Sequence, residues 1–120
     1  MPLDPDLLGR LKSALDGREV VYTLSDNKPN WIHGVEERGV LVETERSRSR
    51  GSGPQLVPAK MLQQAWDLLR ANGRISQRVL LHELEMRRSA AVFAILATLP
   101  EVEVESTRPD TTLRLSARQH

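Results

Sequence analysis

The chain has 120 residues, which suits one compact domain or two small modules that share a core. Hydrophobic residues make up 39% of it and charged residues 28%, a composition typical of folded globular proteins rather than disordered ones. Because there is no cysteine, disulfides, thiolate metal sites and thiol catalysis are excluded, and because the formal net charge is only +1, any attraction to a polyanion must come from local clusters of cations.

Residues 1–45 predict an N-terminal helix followed by a three-stranded antiparallel meander. Asp4 and Pro5 are typical of a helix start, and they precede leucines at helical spacing, namely Leu7, Leu8, Leu11 and Leu15. Three runs of strand-forming residues follow, separated by turn-forming residues, at 19–25, 31–36 and 40–45. We therefore expect a first module that ends at residue 45.

Residues 46–57 predict a flexible loop between two modules. Positions 46–54 hold arginine, serine, glycine and proline without any apolar residue. The cations in this loop, which alternate with serines, are Arg46, Arg48 and Arg50. Such a run can follow a phosphate backbone or become ordered on an acidic partner, and the alternative is a linker without a binding role.

Residues 58–120 predict a second module of three helices and a hairpin. Pro58 begins a helix that ends at Asn72 and Gly73, Ile75 lies in a short strand, and Ser76 caps a second helix that reaches about Leu84. The apolar spacing predicts a third helix over residues 87–99, which ends before Pro100. Alternating residues at 101–105 and 112–116 predict the hairpin.

This order of helix, short strand, helix, turn, helix and two-stranded wing resembles the winged helix-turn-helix superfamily. Residues 69–77 are similar to the junction between its first two helices, and the apolar pattern of Val92, Leu96 and Leu99 ahead of the hairpin is similar to its third helix and wing. The predicted fold class is therefore α+β, with an N-terminal helix and meander followed by a winged helix.

The resemblance implies a DNA-binding module in which the third helix enters the major groove. The positions that would then meet bases and phosphates are Arg87, Arg88 and Ser89. The arginines at 46, 48 and 50, together with Arg108 at the wing tip, would contact neighbouring phosphates. The alternative for Arg87 and Arg88 is that they only solvate the start of the helix near Glu83 and Glu85.

Two features oppose DNA binding and favour an assembly subunit. The third helix carries small and apolar residues, which would form a partner interface, at Ala90, Ala91, Phe93 and Ala94. The wing presents a row of carboxylates that would repel phosphates, at Glu101, Glu103 and Glu105. The alternative function is thus that of an assembly subunit, either a homodimer or an accessory domain of a larger bacterial complex. An accessory domain is considered because the meander and winged helix also loosely resemble domains found beside bacterial restriction and defence enzymes. The alanine face would be buried under the N-terminal sheet or across a dimer interface.

The sequence predicts neither an enzyme nor a metal or cofactor site. His33, His82 and His120 are the only histidines, and none repeats a metal-ligand spacing. Trp31 is interpreted as core packing, with a base-stacking surface as its alternative. The nearby carboxylates are interpreted as solvated strand edges, at Glu36, Glu37, Glu43 and Glu45. No apolar run is long enough to span a bilayer and the N-terminus lacks a signal pattern, so we expect a cytoplasmic protein without membrane contact.

Overall fold

The computed structural model describes residues 2–83 and 88–116, which form an α+β fold with two antiparallel sheets. None of the helices in these two ranges is long and apolar enough to cross a membrane. The predicted N-terminal helix is confirmed as α1, Pro5–Leu15. The Asp4 side chain accepts a hydrogen bond from the Leu7 N–H at 2.8 Å, which satisfies one of the free donors at the helix start. Buried leucines on one face of α1 attach it to the core.

The first sheet has four strands rather than the predicted three. Its strands lie in the order of the chain, as β1 (Val20–Tyr22), β2 (Pro29–Glu36), β3 (Gly39–Thr44) and β4 (Gln55–Pro58). The fourth strand was missed because it is short and ends in proline, which resembles a loop in sequence. It pairs antiparallel with β3, with Leu56 opposite Leu41, and places Val57 in the core.

The prediction of a flexible loop at residues 46–57 is wrong, because helix α2 (Glu45–Arg50) and strand β4 occupy it. Thr44 and Ser47 form a capping box, in which the Thr44 hydroxyl accepts from the Ser47 N–H at 3.1 Å and the Ser47 hydroxyl accepts from the Thr44 N–H at 2.8 Å. Gly51 ends the helix with a φ of 66°, in the left-handed region that favours glycine. Composition alone hid this helix, since serine and arginine also suit loops.

The elements predicted after residue 58 are present with changed bounds, except that a short π-helical segment lies where the second helix was predicted, and the predicted end of that helix at about Leu84 lies outside the described residues. They are α3 (Ala59–Asn72), β5 (Arg74–Ser76), a π-helical segment (Val79–Glu83), α4 (Ser89–Leu96), β6 (Val102–Ser106) and β7 (Thr112–Leu115). Helix α4 ends at Leu96 rather than at Leu99, and the predicted start at Arg87 lies outside the described residues. In the second sheet β7 lies between β5 and β6 and is antiparallel to both.

One continuous core joins the two parts of the chain. Helix α3 contacts strands of both sheets, and its Trp66 is 2% exposed. The same hydrophobic cluster includes Val40 from the first sheet, Phe93 from α4 and Leu113 from β7, all of them fully buried. Gln63 on α3 also donates to the Asp4 carboxylate at 2.8 Å, which fixes the start of α1 on this helix. The two sheets are therefore held in a defined relation by shared packing.

Candidate nucleic-acid interface

Helix α2 brings two of the predicted DNA-binding arginines together. Arg46 and Arg50 are four residues apart in the helix, so their side chains leave from the same side. They line a polar cavity of about 280 Å³ whose other lining residues are Thr44, Ser47, Ser52 and Gln55. Hydroxyl and amide groups beside two guanidinium groups are suited to an anion such as a phosphate.

Arg88, just before α4, extends this group from the other half of the chain. Its guanidinium donates from Nη2 to the Gln55 side-chain oxygen at 2.9 Å. Gln55 also lines the cavity of Arg46 and Arg50, so it links the three arginines. We call Arg46, Arg50 and Arg88 the arginine cluster. Among the side chains that the structure describes, which do not include that of Glu83, no carboxylate forms an ion pair with any of the three.

A second cavity, of about 380 Å³, opens beside the arginine cluster between the first sheet and α4. We call it the inter-module cleft. Arg46 and Arg88 both line it, as do Lys28 from the β1–β2 turn and Asn30 from β2. Its remaining lining residues are Thr23, Asp26, Pro29, Val42, Thr44, Glu45, Ala90 and Ala91. The cleft is thus mixed in character, with apolar walls and charged groups of both signs.

Arg48 lies apart from the cluster, on the outer face of the first sheet. Its guanidinium carbon is 3.5 Å from the centre of the Trp31 ring, and its Nε donates to Glu43 Oε1 at 3.0 Å. Arg48 is therefore held in place rather than being the mobile cation that the sequence predicted. Trp31 is half-buried under this arginine, so the interpretation of Trp31 as a core residue is wrong.

Glu43 is the centre of this outer group rather than a solvated strand edge. The hydrogen bond from Arg48 lowers the pKa of the Glu43 carboxyl against an opposing effect of desolvation, and a contact with His33 Nε2 at 3.2 Å lowers it further. Its carboxylate is thereby favoured in the folded protein. The role of the group is to fix Arg48 over Trp31 and β2 beside β3.

The predicted contact of Ser89 with DNA is wrong, because Ser89 is only 3% exposed. Its hydroxyl lies 3.1 Å from the Gln77 side-chain nitrogen, which donates to it inside the protein. Arg87 lies outside the described residues. Arg108 is exposed in the turn between β6 and β7, where it is open to a ligand.

The predicted partner interface on α4 is wrong for two of its four residues. Phe93 is fully buried and Ala94 is 3% exposed, because both pack into the core of their own chain. Ala90 and Ala91 are half-buried and line the inter-module cleft. The small residues of α4 thus allow the first sheet to approach the helix, and they leave a cleft rather than a flat apolar surface.

The carboxylates of the wing are each neutralised by an arginine. Glu101 accepts from Arg10 at 2.6 Å, Glu103 from Arg114 at 2.8 Å and Glu105 from Arg74 at 2.5 Å. The cations come from α1, β7 and β5, so sequence order did not indicate these pairs. The repulsion that this row would exert on a phosphate backbone is correspondingly reduced.

Sequence reasoning did not identify Gln55 as a neighbour of the arginine cluster, nor Lys28 and Asn30 as residues that line the inter-module cleft. Asn30 had been assigned to a turn, whereas it is the second residue of β2, opposite Thr44 of β3. Among the side chains that the structure describes, no group of three or more histidine, aspartate or glutamate side chains is arranged to hold a metal ion. No family model, curated protein or solved structure matches this chain.

Proposed function

We propose that this protein binds duplex DNA, with its C-terminal part acting as a winged helix and the arginine cluster contacting the phosphate backbone. The order of elements from α3 to β7 supports the winged-helix interpretation. So does the second sheet, in which the strand after α3 pairs with the last strand of the wing hairpin. In a winged helix the start of the third helix and the wing tip face the DNA, and here Arg88 directly precedes α4 and Arg108 is exposed in the turn between β6 and β7.

The observation that carries the proposal is the convergence of Arg46, Arg50 and Arg88 around Gln55. Cations that serve only stability are commonly paired with carboxylates, as Arg10, Arg74 and Arg114 are here. An arginine cluster without such pairs among the described residues keeps its charge available for an external anion. Guanidinium groups bind phosphate oxygens through two parallel hydrogen bonds.

The geometry favours contacts to phosphates over contacts to base edges. Ser89 is buried, and the next positions along α4 are alanines that lack side-chain hydrogen-bonding groups. Binding to duplex DNA should therefore depend weakly on base sequence and strongly on salt. Each arginine that neutralises a phosphate contributes about −0.9 to the slope of log affinity against log salt concentration.

A salt titration of variants tests the proposal. The Arg46→Ala/Arg50→Ala protein should bind every duplex more weakly than the parent, with a slope flatter by about 2, and Arg88→Ala should flatten it by about 1. The matched control is Lys12→Ala/Arg18→Ala, which removes the same charge from a separate cleft lined by α1 and β2 residues. This control should retain the parent's slope.

Fluorescence anisotropy with labelled duplexes of several sequences, at several salt concentrations, measures all four proteins. Loss of affinity in the cluster variants but not in the control supports the proposal. If the parent binds no duplex at low salt, or if the control loses as much affinity as the Arg46→Ala/Arg50→Ala protein, the proposed function is wrong.

A further inference from the structure

The inter-module cleft contains a largely buried side chain, Asn30, whose hydrogen-bonding capacity is only partly used within the protein. Asn30 is only 4% exposed, and its Nδ2 donates to the Lys28 carbonyl oxygen over a long distance of 3.4 Å. Among the described residues, none donates to the Asn30 side-chain oxygen. Buried amides in folded proteins normally satisfy both their oxygen and their nitrogen. The free oxygen and the second N–H of Asn30 therefore form a ready donor–acceptor pair inside the cleft.

The walls beside Asn30 suit a flat, uncharged ring. Val42 of β3, Pro29 of β2 and the half-buried Ala90 and Ala91 of α4 line the same cleft. These side chains are small and carry no hydrogen-bonding groups, so a ring can pack against them without depriving a polar side-chain group of its hydrogen bonds to water. The volume of about 380 Å³ falls in the range of small-molecule sites.

The charges around the cleft place an anionic group beside it rather than within it. Asp26 and Glu45 line the cleft and would repel a phosphate there, although Asp26 is engaged by the Thr23 hydroxyl at 2.5 Å and by Lys28. The adjoining cavity of Arg46 and Arg50 has no carboxylate in its lining. Arg46 lines both cavities and therefore joins a site for a ring to a site for a phosphate.

We propose that the inter-module cleft receives a single unpaired or extruded nucleotide of the bound DNA. Its base contacts Asn30, and its phosphate lies on Arg46 and Arg50. An adenine base fits this pair of groups best, because its exocyclic amine donates to the Asn30 oxygen while its N7 accepts from the Asn30 nitrogen. Extrusion costs least for a base that is already unpaired. This inference rests on the proposed binding of duplex DNA.

The test compares a fully paired duplex with the same duplex carrying one extra unpaired adenine. The parent protein should bind the second duplex about tenfold more tightly, and an unpaired thymine should give a smaller gain. Ala91→Leu fills the cleft and Asn30→Ala removes its donor–acceptor pair. Both variants should lose the gain while keeping the parent's affinity for the fully paired duplex. Ala14→Leu, the same change at a half-buried alanine in a different groove, should keep the gain.

The outcomes separate this inference from the proposed function. Equal affinity of the parent for paired and adenine-containing duplexes overturns the inference while leaving DNA binding intact. No binding of either duplex overturns both. A gain that survives in both Ala91→Leu and Asn30→Ala places the extra nucleotide elsewhere and also overturns the inference. Should Asn30→Ala fail to fold in a thermal unfolding check, the test rests on Ala91→Leu and on the parent protein's affinities for the paired and the adenine-containing duplex.

Discussion

Glu43 shows how one carboxylate can organise a surface. It lies opposite Trp31 in the register of β2 and β3, and it accepts from Arg48 of α2 and contacts His33 of β2. Arg48 is thereby fixed over the Trp31 ring, where its attraction to the aromatic face adds to the ion pair. Three neighbouring elements of the fold are thus joined through a single side chain at the surface.

Replacing Glu43 with glutamine should remove the part of the free energy of unfolding that depends on the ionisation of this carboxyl. The pKa of Glu43 is lowered from 4.5 in the folded protein, so its ionised form stabilises the fold above the unfolded pKa, and this contribution is lost as the pH falls through the folded pKa. Glu43→Gln should therefore be less stable than the parent near neutral pH, and the difference should vanish under more acidic conditions. Urea unfolding at about pH 7 and about pH 3 measures the two free energies.

Glu37→Gln is the control for this comparison. Glu37 is exposed in the β2–β3 turn, and its carboxylate forms no ion pair with the residues that the structure describes. Its substitution should leave the free energy of unfolding near the parent's at both pH values. A Glu43→Gln protein as stable as the parent at neutral pH would show that the ion pair of Glu43 with Arg48 does not contribute to the free energy of unfolding.

Among the helices, α2 is the one that the sequence did not predict. Hydrophobic spacing predicted α1, α3 and most of the strands, because each of them buries a regular apolar face. Helix α2 has no such face: its buried residue is Ser47, and the capping box with Thr44 and the glycine stop hold its ends. A helix held by its ends leaves no periodic signal, and so residues 46–57 were interpreted as a loop.

The candidate site was only partly predictable for a related reason. Arginines at 46, 50 and 88 were identified from the sequence as two separate clusters. Gln55 brings these arginines together. It contacts Arg88, which lies 33 positions later in the sequence, and it belongs to β4, a strand that the sequence did not predict. Ser89 was misassigned because a polar residue at a helix start can face inward when a partner such as Gln77 satisfies it.

Removing the cap of α2 should destabilise the protein measurably. Thr44→Ala deletes the hydroxyl that accepts from the Ser47 N–H, and the loss of such a cap costs about 1 kcal/mol. Ser49→Ala is the matched control, since Ser49 is exposed and bonds only within the helix, to the Arg46 carbonyl oxygen. Its effect should stay within about 0.5 kcal/mol. Urea unfolding compares the two variants, and equal stabilities would mean that the cap does not hold α2.

At the scale of the whole molecule, the two sheets belong to one hydrophobic core. Helix α3 packs against both sheets and contributes the buried Leu62, Trp66 and Leu69. The inter-module cleft lies at the edge of this shared core, so its shape depends on the packing between the first sheet and α4. A binding site between modules needs this shared packing to hold its arginines and its apolar wall at fixed positions relative to each other.

A substitution in the wing should consequently weaken the distant first sheet. Leu113 of β7 is fully buried, and Leu113→Ala should lower the free energy of unfolding by about 2 to 5 kcal/mol. If the two sheets unfold together, the amides of Val40 and Val42 in β3 should lose the same amount of protection against hydrogen exchange. Leu81→Ala, at a side chain that is 45% exposed, is the control and should change protection by no more than about 0.5 kcal/mol. Amide exchange followed by NMR measures each site separately. Unchanged protection of Val40 and Val42 in Leu113→Ala would contradict a single cooperative unit, because the first sheet would then be stable without the wing.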